Sequence, residues 1–232
     1  MKILAIDTAT ECCSAALWID GEMLVREELS ARGHAQRILP MARELLREGA
    51  VALAELDLIA FGRGPGAFTG VRLAASVTQG LAFAAKLRVL PISDLRAVAQ
   101  QALELPGADA HVLVCQDARM AEVYWGYFSS VAGFAAPCSA EAVSAPKNVP
   151  PPEAAWRPCV GAGSGFLAYP ELTTHFGGKL AAFSPQLLPR AREIARLAAH
   201  DGPERAVPPE QAIPVYLRDD VAVKAPAPGH LS

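Results

Sequence analysis

The sequence predicts an α/β fold made of two similar halves. Patterns typical of strands and helices alternate along the 232 residues, and 52% of the residues are hydrophobic, which supplies a sizeable core. The second half begins as the first does, with a short apolar strand that ends in an acid. These acids are Asp7 and Asp117. The two openings indicate an internal duplication, and a chance similarity is the alternative.

The strands of the first half are predicted from short apolar or β-branched runs, which cover 2–7, 14–19, 22–29, 57–61 and 88–92. Asp20-Gly21 forms the tight turn between the second and third strands. Apolar residues at helical spacing predict helices over 34–48, 70–86 and 93–103. Pro40 lies inside the first helix and should kink it or mark its effective start. Ser93 is a good N-cap for the third helix.

The second half repeats strand patterns and then becomes rich in loops. Its predicted elements are strands over 111–117 and 122–128, a stiff proline loop over 146–152, a glycine-rich turn over 161–165 and a helix over 189–200. Pro106-Gly107 predicts a turn or loop between the two halves. We therefore expect an N-terminal subdomain over 1–107, a C-terminal subdomain over 108–218 and a frayed tail over 219–232. The helix at 187–200 is a candidate to pack back on the first subdomain.

Charge and composition exclude several classes of protein. The chain has 21 Lys and Arg residues against 24 Asp and Glu residues, so a protein that binds nucleic acid over a large basic surface is not expected. A local basic patch remains an alternative. No apolar run reaches the roughly 18 residues of a membrane helix, and Asp7 comes too early for a signal peptide. The five cysteines show no Cys-x-x-Cys spacing, which is typical of thiols in a reducing compartment. We expect a cytoplasmic protein without a membrane partner.

The strongest local signal is the glycine-rich run before the second helix. Its candidate nucleotide- or anion-binding residues are Gly64, Pro65, Gly66, Thr69, Gly70 and Arg72. Glycines bring backbone amides close to a ligand, and a helix N-terminus favours an anion. Thr69 could cap that helix or donate to a phosphate. Arg72 lies at the helix end that disfavours a cation, which predicts a ligand anion or a buried carboxylate beside it. The alternative is an ordinary strand-to-helix turn, and the Gly-Lys-Ser/Thr of a Walker loop is absent.

A second candidate site follows the first strand. Asp7, Thr8 and Thr10 could offer a carboxylate and hydroxyls to a metal and phosphates, with Asp117 at the matching point of the second half. The turn lacks the glycine that would let a triphosphate come close, and its side chains could simply satisfy the turn. No two histidines are three or four residues apart, so the helical metal-ligand signature is absent and no metal site is predicted.

Two helices are unusually apolar. The helix at 70–86 carries charges only at Arg72 and Lys86, and the helix at 34–48 is apolar on one face. A helix that is apolar all round is either sandwiched inside the protein or docks on another protein.

Six segments together carry a resemblance. They read Met1-Lys-Ile-Leu-Ala-Ile-Asp-Thr-Ala-Thr10, His34-Ala-Gln-Arg-Ile-Leu-Pro40, Gly62-Arg-Gly-Pro-Gly-Ala-Phe-Thr-Gly-Val-Arg72, Asp117-Ala-Arg-Met-Ala-Glu-Val-Tyr124, Gly161-Ala-Gly-Ser-Gly165 and Ile213-Pro-Val-Tyr-Leu-Arg218. The chain resembles the TsaB (YeaZ) family, which serves in making threonylcarbamoyladenosine on tRNA. The resemblance covers essentially the whole chain and is weakest at 129–160 and in the tail.

The resemblance implies the actin/hexokinase-type ATPase fold, with two similar subdomains that each have a mixed sheet and flanking helices. It implies a non-catalytic partner of a TsaD-like subunit, the transferase that forms threonylcarbamoyladenosine next to the anticodon. A TsaE-like ATPase joins the complex, tRNA is met through it, and the isolated chain forms a homodimer. The implied contact residues are His34, Ile38, Met41, Leu45, Leu73, Val77 and Leu81.

The resemblance implies that no cofactor is required, and it leaves open weak binding of ATP or ADP with magnesium in the cleft. The alternative is an enzyme in its own right, a small kinase or nucleotide hydrolase of the same fold. In that case Asp7, Thr8, Thr10, Asp117 and the segment Gly64–Gly70 would bind magnesium-ATP. A metalloprotease is disfavoured because the histidine ligand pairs are missing.

Overall fold

Two β-sheets with the same strand order carry the fold. The computed structural model describes residues 1–105 and 111–218. The first sheet contains β1 (Lys2–Asp7), β2 (Cys12–Ile19), β3 (Glu22–Leu29), β4 (Leu58–Gly62) and β5 (Arg88–Ile92), in the order β3-β2-β1-β4-β5. The second sheet contains β6 (His111–Arg119), β7 (Glu122–Val131), β8 (Phe134–Pro137), β9 (Ala142–Ser144), β10 (Cys159–Ala162) and β11 (Phe183–Ser184).

The second sheet repeats the plan of the first. Its strand order is β8-β7-β6-β10-β11, with β9 also paired to β7. In both sheets the first strand of the half is antiparallel to its hairpin partner on one side and parallel to a later strand on the other. This repeat favours an internal duplication over a chance similarity between the starts of the two halves. It also confirms the expected actin/hexokinase-type ATPase fold with two mixed sheets and flanking helices.

Four of the helices agree with the predicted patterns apart from their ends, whereas the two short helices over 165–168 and 171–176 were not predicted. The helices are α1 (His34–Glu48), α2 (Phe68–Ala85), α3 (Asp94–Leu103), α4 (Gly165–Ala168), α5 (Glu171–Phe176) and α6 (Ala191–Asp201). Short 3-10 helices occur at Leu53–Glu55, Pro146–Asn148, Ala154–Trp156, Gly177–Lys179, Pro203–Arg205 and Pro209–Gln211. Because α1 runs unbroken through Pro40, the prediction that this proline marks the effective start is wrong. Ser93 caps α3 as predicted, by accepting a hydrogen bond from the Arg96 amide.

The first sheet is covered on both faces. Leu4 and Ile6 of β1 point to the side where α1 and α2 pack, whereas Ile3 and Ala5 point to the side covered by α6. A strand buried on both faces reads as a continuous apolar run, which is the pattern of 2–7.

The two halves also exchange helices. Helix α6 belongs to the second half in sequence and packs on β1 and β2, whereas α3 from the first half packs on β6, β7 and β8. The boundary expected at 107/108 and the tail expected to fray over 219–232 lie outside the described residues. No helix in 1–105 or 111–218 combines the length and apolar character that crossing a membrane requires.

Candidate functional site

The turn after β1 holds three of the predicted site residues, and each is engaged by protein atoms. Asp7 is fully buried, and its Oδ1 accepts a hydrogen bond from the Ala9 amide at 2.6 Å. Thr8 Oγ1 donates to the Gly70 carbonyl at 2.6 Å. Thr10 Oγ1 accepts from the Cys12 amide at 3.3 Å, and its carbonyl contacts His34 Nε2 at 2.8 Å. These side chains satisfy the turn itself.

The loop between β4 and α2, residues 63–67 and here called the glycine loop, packs against this turn. The Ala67 amide donates to the Ala9 carbonyl at 2.7 Å. A Cβ on Gly66 would lie 2.7 Å from Ala9 O, and a Cβ on Gly70 would lie well under 3.0 Å from Thr8 O. The missing side chains therefore let backbone approach backbone, so a triphosphate would have to displace the glycine loop from the turn. The residues present do not fit magnesium-ATP at this turn.

Asp94 anchors the other side of the glycine loop. Its carboxyl oxygen Oδ2 accepts a hydrogen bond from the Gly64 amide, and its own amide donates to the Gly64 carbonyl at 3.1 Å. The Asp94 and Asp7 carboxyl groups lie beside each other next to Gly62, and Asp94 Oδ1 and Asp7 Oδ2 have no hydrogen-bond partner among the described residues. Burial, and then the charge of Asp7, hold the pKa of Asp94 well above its usual range, and burial also raises the pKa of Asp7.

We expected a ligand anion or a buried carboxylate beside Arg72. The buried carboxylate is wrong, whereas the ligand anion stays a prediction. The guanidinium carbon lies 3.6 Å from the ring centre of Phe68 and 5.5 Å from that of Tyr216. Its Nε donates to the Tyr216 hydroxyl at 2.7 Å. Within the described ranges no carboxylate pairs with Arg72, so aromatic rings hold this cation in place of an internal salt bridge.

The helix that carries Arg72 begins earlier than predicted. Its N-cap position is Ala67, whereas Thr69 lies exposed inside the first turn, so the prediction that Thr69 caps the helix is wrong. Pro65 is buried beside the turn.

Asp117 also has protein partners. Its Oδ1 accepts hydrogen bonds from the Tyr169 hydroxyl at 2.9 Å and the Arg119 amide at 2.7 Å, and its Oδ2 pairs with Arg119 Nη1 at 3.0 Å. In 1–105 and 111–218 no three His, Cys, Asp or Glu side chains come together in a way that could hold a metal ion.

The segment 213–218, here called the strap, joins the two halves next to these residues. The Val215 amide donates to the Arg63 carbonyl at 2.7 Å, just after β4. Arg218 donates to Glu122 at 3.1 Å and to the Ala118 carbonyl at 3.2 Å, at the β6–β7 hairpin. The strap therefore ties the ends of the first sheet to the hairpin that carries Asp117.

A separate apolar groove of about 370 Å³ lies between α1 and α2. Its lining consists of Leu39, Pro40, Ala42, Arg43, Leu46, Leu53 and Leu81. Leu39 is 47% exposed, and Phe83 on the neighbouring turn of α2 is 80% exposed. Apolar side chains left open to water at a groove are typical of a surface that another protein covers.

Comparison with known proteins decides the family. A family model described as TsaD, tRNA N6-adenosine threonylcarbamoyltransferase, matches residues 25–222. The Escherichia coli K12 protein named tRNA threonylcarbamoyladenosine biosynthesis protein TsaB is 41% identical over 230 residues, which cover 97% of each chain. The chain belongs to the TsaB family.

Further relatives agree with the TsaB family. The Haemophilus influenzae protein of the same name is 52% identical over 125 residues, or 54% of this chain and 52% of the relative. The solved structure of YeaZ from Pseudomonas aeruginosa is similar with a TM-score of 0.85 at 45% identity, covering 93% of this chain and 99% of that one.

The contact residues implied by the TsaB resemblance divide into two groups. Ile38 and Leu45 are fully buried in the monomer core, so they are unavailable to another chain and that expectation is corrected. Their side chains fill the space between α1 and the first sheet. The half-buried residues are His34, Met41, Leu73, Val77 and Leu81.

Sequence reasoning missed several residues of this TsaB-family chain. Leu39 and Leu46 line the groove at a spacing of seven residues, and this spacing could have revealed a second apolar stripe on α1. Asp94 resembles an ordinary acid in a first helical turn, because an acid there complements the helix dipole. Tyr216 carried no local signal, since its partner Arg72 is far away in sequence.

Proposed function

We propose that this chain is a non-catalytic subunit in the formation of threonylcarbamoyladenosine on tRNA, and that it acts by binding a TsaD-like transferase. The pathway is supported by the match over 97% of both chains to the Escherichia coli biosynthesis protein TsaB. The observation that carries the non-catalytic role is the packing of the glycine loop and Gly70 onto the β1–β2 turn. The chain's own backbone fills the space beside Thr8 and Ala9, at the turn that was the candidate for binding phosphates.

The state of the two candidate carboxylates supports the same role. Asp7 is fully buried and its Oδ1 is bonded to Ala9, and Asp117 is bonded to Tyr169 and Arg119. A metal ligand or general base needs a carboxylate oxygen that the reacting groups can reach, and burial withholds Asp7 from them. We therefore propose that no cofactor is required, and any binding of ATP or ADP with magnesium in the cleft is weak.

The apolar groove and the outer side of α2 are the surface that we assign to the partner. Leu39, Leu81 and Phe83 offer apolar contact area there, and Arg43 at the rim is the charged residue among those that line the groove. In the absence of the TsaD-like subunit, a second copy of this chain covers the same surface, because an apolar patch is seldom left in water. The TsaE-like ATPase and tRNA join through the complex, in the cytoplasm, where thiols stay reduced.

Reconstitution tests this function. The TsaD-like subunit, the TsaE-like ATPase and a source of threonylcarbamoyl-AMP are incubated with tRNA, with and without this chain, and modified adenosine is measured. We expect modification only when the chain is present, and none from the chain alone. Full activity without the chain would refute the proposal.

Two variants probe the surface. Leu39→Glu places a charge in the apolar groove and should abolish modification by weakening subunit binding. Leu167→Glu, at a residue 72% exposed on α4, is the matched control and should be active. Calorimetry with magnesium-ATP on the isolated chain addresses the alternative. Tight binding with turnover that Asp7→Ala abolishes would favour a kinase or hydrolase.

A further inference from the structure

Arg72 is a cation that the fold orients without neutralising it. Phe68 and Tyr216, here called the aromatic cradle, hold its guanidinium from two sides at 3.6 and 5.5 Å from their ring centres. The Tyr216 hydroxyl accepts a hydrogen bond from Nε. The two Nη groups have no acceptor within 1–105 and 111–218, and the residue is exposed. The two Nη groups, which form the planar fork that recognises carboxylates, are therefore fixed in direction and open to water.

The cradle is itself held in place. Tyr216 lies on the strap, which is anchored by the Val215 amide on one side and by Arg218 on the other. The rings of Phe68 and Tyr216 also contact each other, with centres 5.7 Å apart. Both rings are about two-fifths exposed, at 44% and 42%. A side chain that is already oriented loses less entropy when a partner binds, so the arrangement favours a directed contact.

Arg72 lies beside the surface assigned to the partner. The outward stripe of α2 consists of four exposed residues at helical spacing, which are Thr69, Ser76, Gly80 and Phe83. Arg72 flanks this stripe on the side of the strap, where Gln79 Nε2 donates to the Ala212 carbonyl at 3.1 Å. Leu81 flanks it on the side of the groove. A protein seated on the stripe would reach both the groove and the arginine.

We infer that Arg72 is the charged recognition point of this surface, and that it binds a carboxylate presented by the TsaD-like subunit. The inference rests on the proposed function, because it assigns a role within the same contact. A bidentate arginine–carboxylate pair supplies direction as well as affinity, which apolar contacts alone do not. A protein acid fits better than a nucleic-acid phosphate, since the neighbouring stripe is uncharged and partly apolar and the chain carries a net charge of −3.

Binding of the full-length chain to the TsaD-like subunit is measured by calorimetry at low and high salt. Arg72→Gln should weaken binding by about tenfold or more at low salt and reduce its salt dependence, while the unfolding midpoint is unchanged. Arg72→Lys keeps the charge but loses the fork, and should bind with intermediate affinity. Tyr216→Phe keeps the ring but loses the hydroxyl that accepts from Nε, so it should weaken binding less than Arg72→Gln does, which separates the charge of Arg72 from its orientation.

The outcomes separate this inference from the proposed function. If Arg72→Gln binds as the wild type does while Leu39→Glu does not bind, the inference is wrong and the proposed function stands. If the wild type does not bind the TsaD-like subunit, both are wrong. If Arg72→Gln weakens binding to isolated tRNA but not to the subunit, the site recognises phosphate and the inference is overturned. If Arg72→Gln does not fold, an affinity of Arg72→Lys equal to that of the wild type would contradict the role of the fork.

Discussion

The carboxyl groups of Asp7 and Asp94 lie beside each other in the protein interior, next to Gly62. Neither residue is exposed to solvent. Burial and the neighbouring carboxylate both disfavour the charged form of Asp94, so its pKa lies well above its usual range. Gly62 makes the contact possible, because a Cβ at that position would lie well under 3.0 Å from Asp94 Oδ1 and 3.2 Å from Asp7 Cγ. The pair fastens the glycine loop through the Gly64 amide.

Asp94→Asn should make stability less dependent on pH. In the unfolded chain Asp94 has its ordinary pKa of 3.8, whereas burial raises this pKa well above that value in the folded protein. Folding therefore takes up a proton, and the wild type loses stability as the pH rises. Asparagine can keep the hydrogen bonds without titrating. Urea unfolding at pH 5 and pH 8 provides the measurement. The free energy of unfolding of the variant, relative to that of the wild type, should be larger at pH 8 than at pH 5. Parallel profiles of the two proteins would show that folding does not raise the pKa of Asp94.

Gly70→Ala should strongly destabilise the protein. The new Cβ would overlap the Thr8 carbonyl, which belongs to the backbone and cannot turn away. We expect a loss on the order of 3 kcal/mol in the free energy of unfolding, measured in urea. Gly80→Ala is the matched control on the same helix, because nothing lies within 4 Å of its Cβ. This control should gain up to about 1 kcal/mol from helix propensity. Equal stability of the two variants would contradict the close packing.

Glu193→Gln should stabilise the protein at alkaline pH. Burial, more than the nearby charge of Glu104, raises the pKa of Glu193 from 4.5 to about 7. The wild type therefore loses stability as the pH rises from about 5 to 7, where the unfolded chain is ionised and the folded chain is not. Glutamine does not titrate, so its advantage over the wild type should grow by on the order of 2 kcal/mol between pH 5 and pH 8. Thermal unfolding at the two pH values provides the measurement, and an advantage independent of pH would argue against this account.

Arg218→Gln should loosen the strap. The substitution removes the contacts to Glu122 and to the Ala118 carbonyl that tie the strap to the β6–β7 hairpin. Hydrogen exchange should become about tenfold faster at Val215, whose amide donates to Arg63, with little change in β1. Arg205→Gln is the control, because the Arg205 side chain is largely exposed and its ion pair with Asp201 is long at 3.8 Å. Unchanged exchange at Val215 would show that the strap is held without Arg218.

Local patterns predicted the elements well where the signal is short-range. The segments 22–29, 34–48 and 88–92 have the predicted bounds, because alternation, helical spacing and turn residues act within a few positions. The start of α2 was placed two residues late, since the glycines that precede it have no side chains to mark a cap. The prediction for the apolar residues of α1 was also incomplete, because it covered only one face of the helix. Ile38 faces the core, whereas Leu39 next to it lines the groove.

The sequence by itself determined the order of strands and helices, the repeated opening at Asp7 and Asp117 and, through its motifs, the family. Only the tertiary structure decided what the glycines face. Gly70 meets the backbone of Thr8, and Asp94 reaches Asp7, because β4 pairs in parallel with both β1 and β5 and gathers their ends at one edge. Such contacts join residues more than sixty positions apart. The spacing of residue types along the chain reflects local conformational preferences, and it therefore predicts strands and helices. The partner of a buried polar group depends instead on which strands, distant in sequence, become neighbours in the fold.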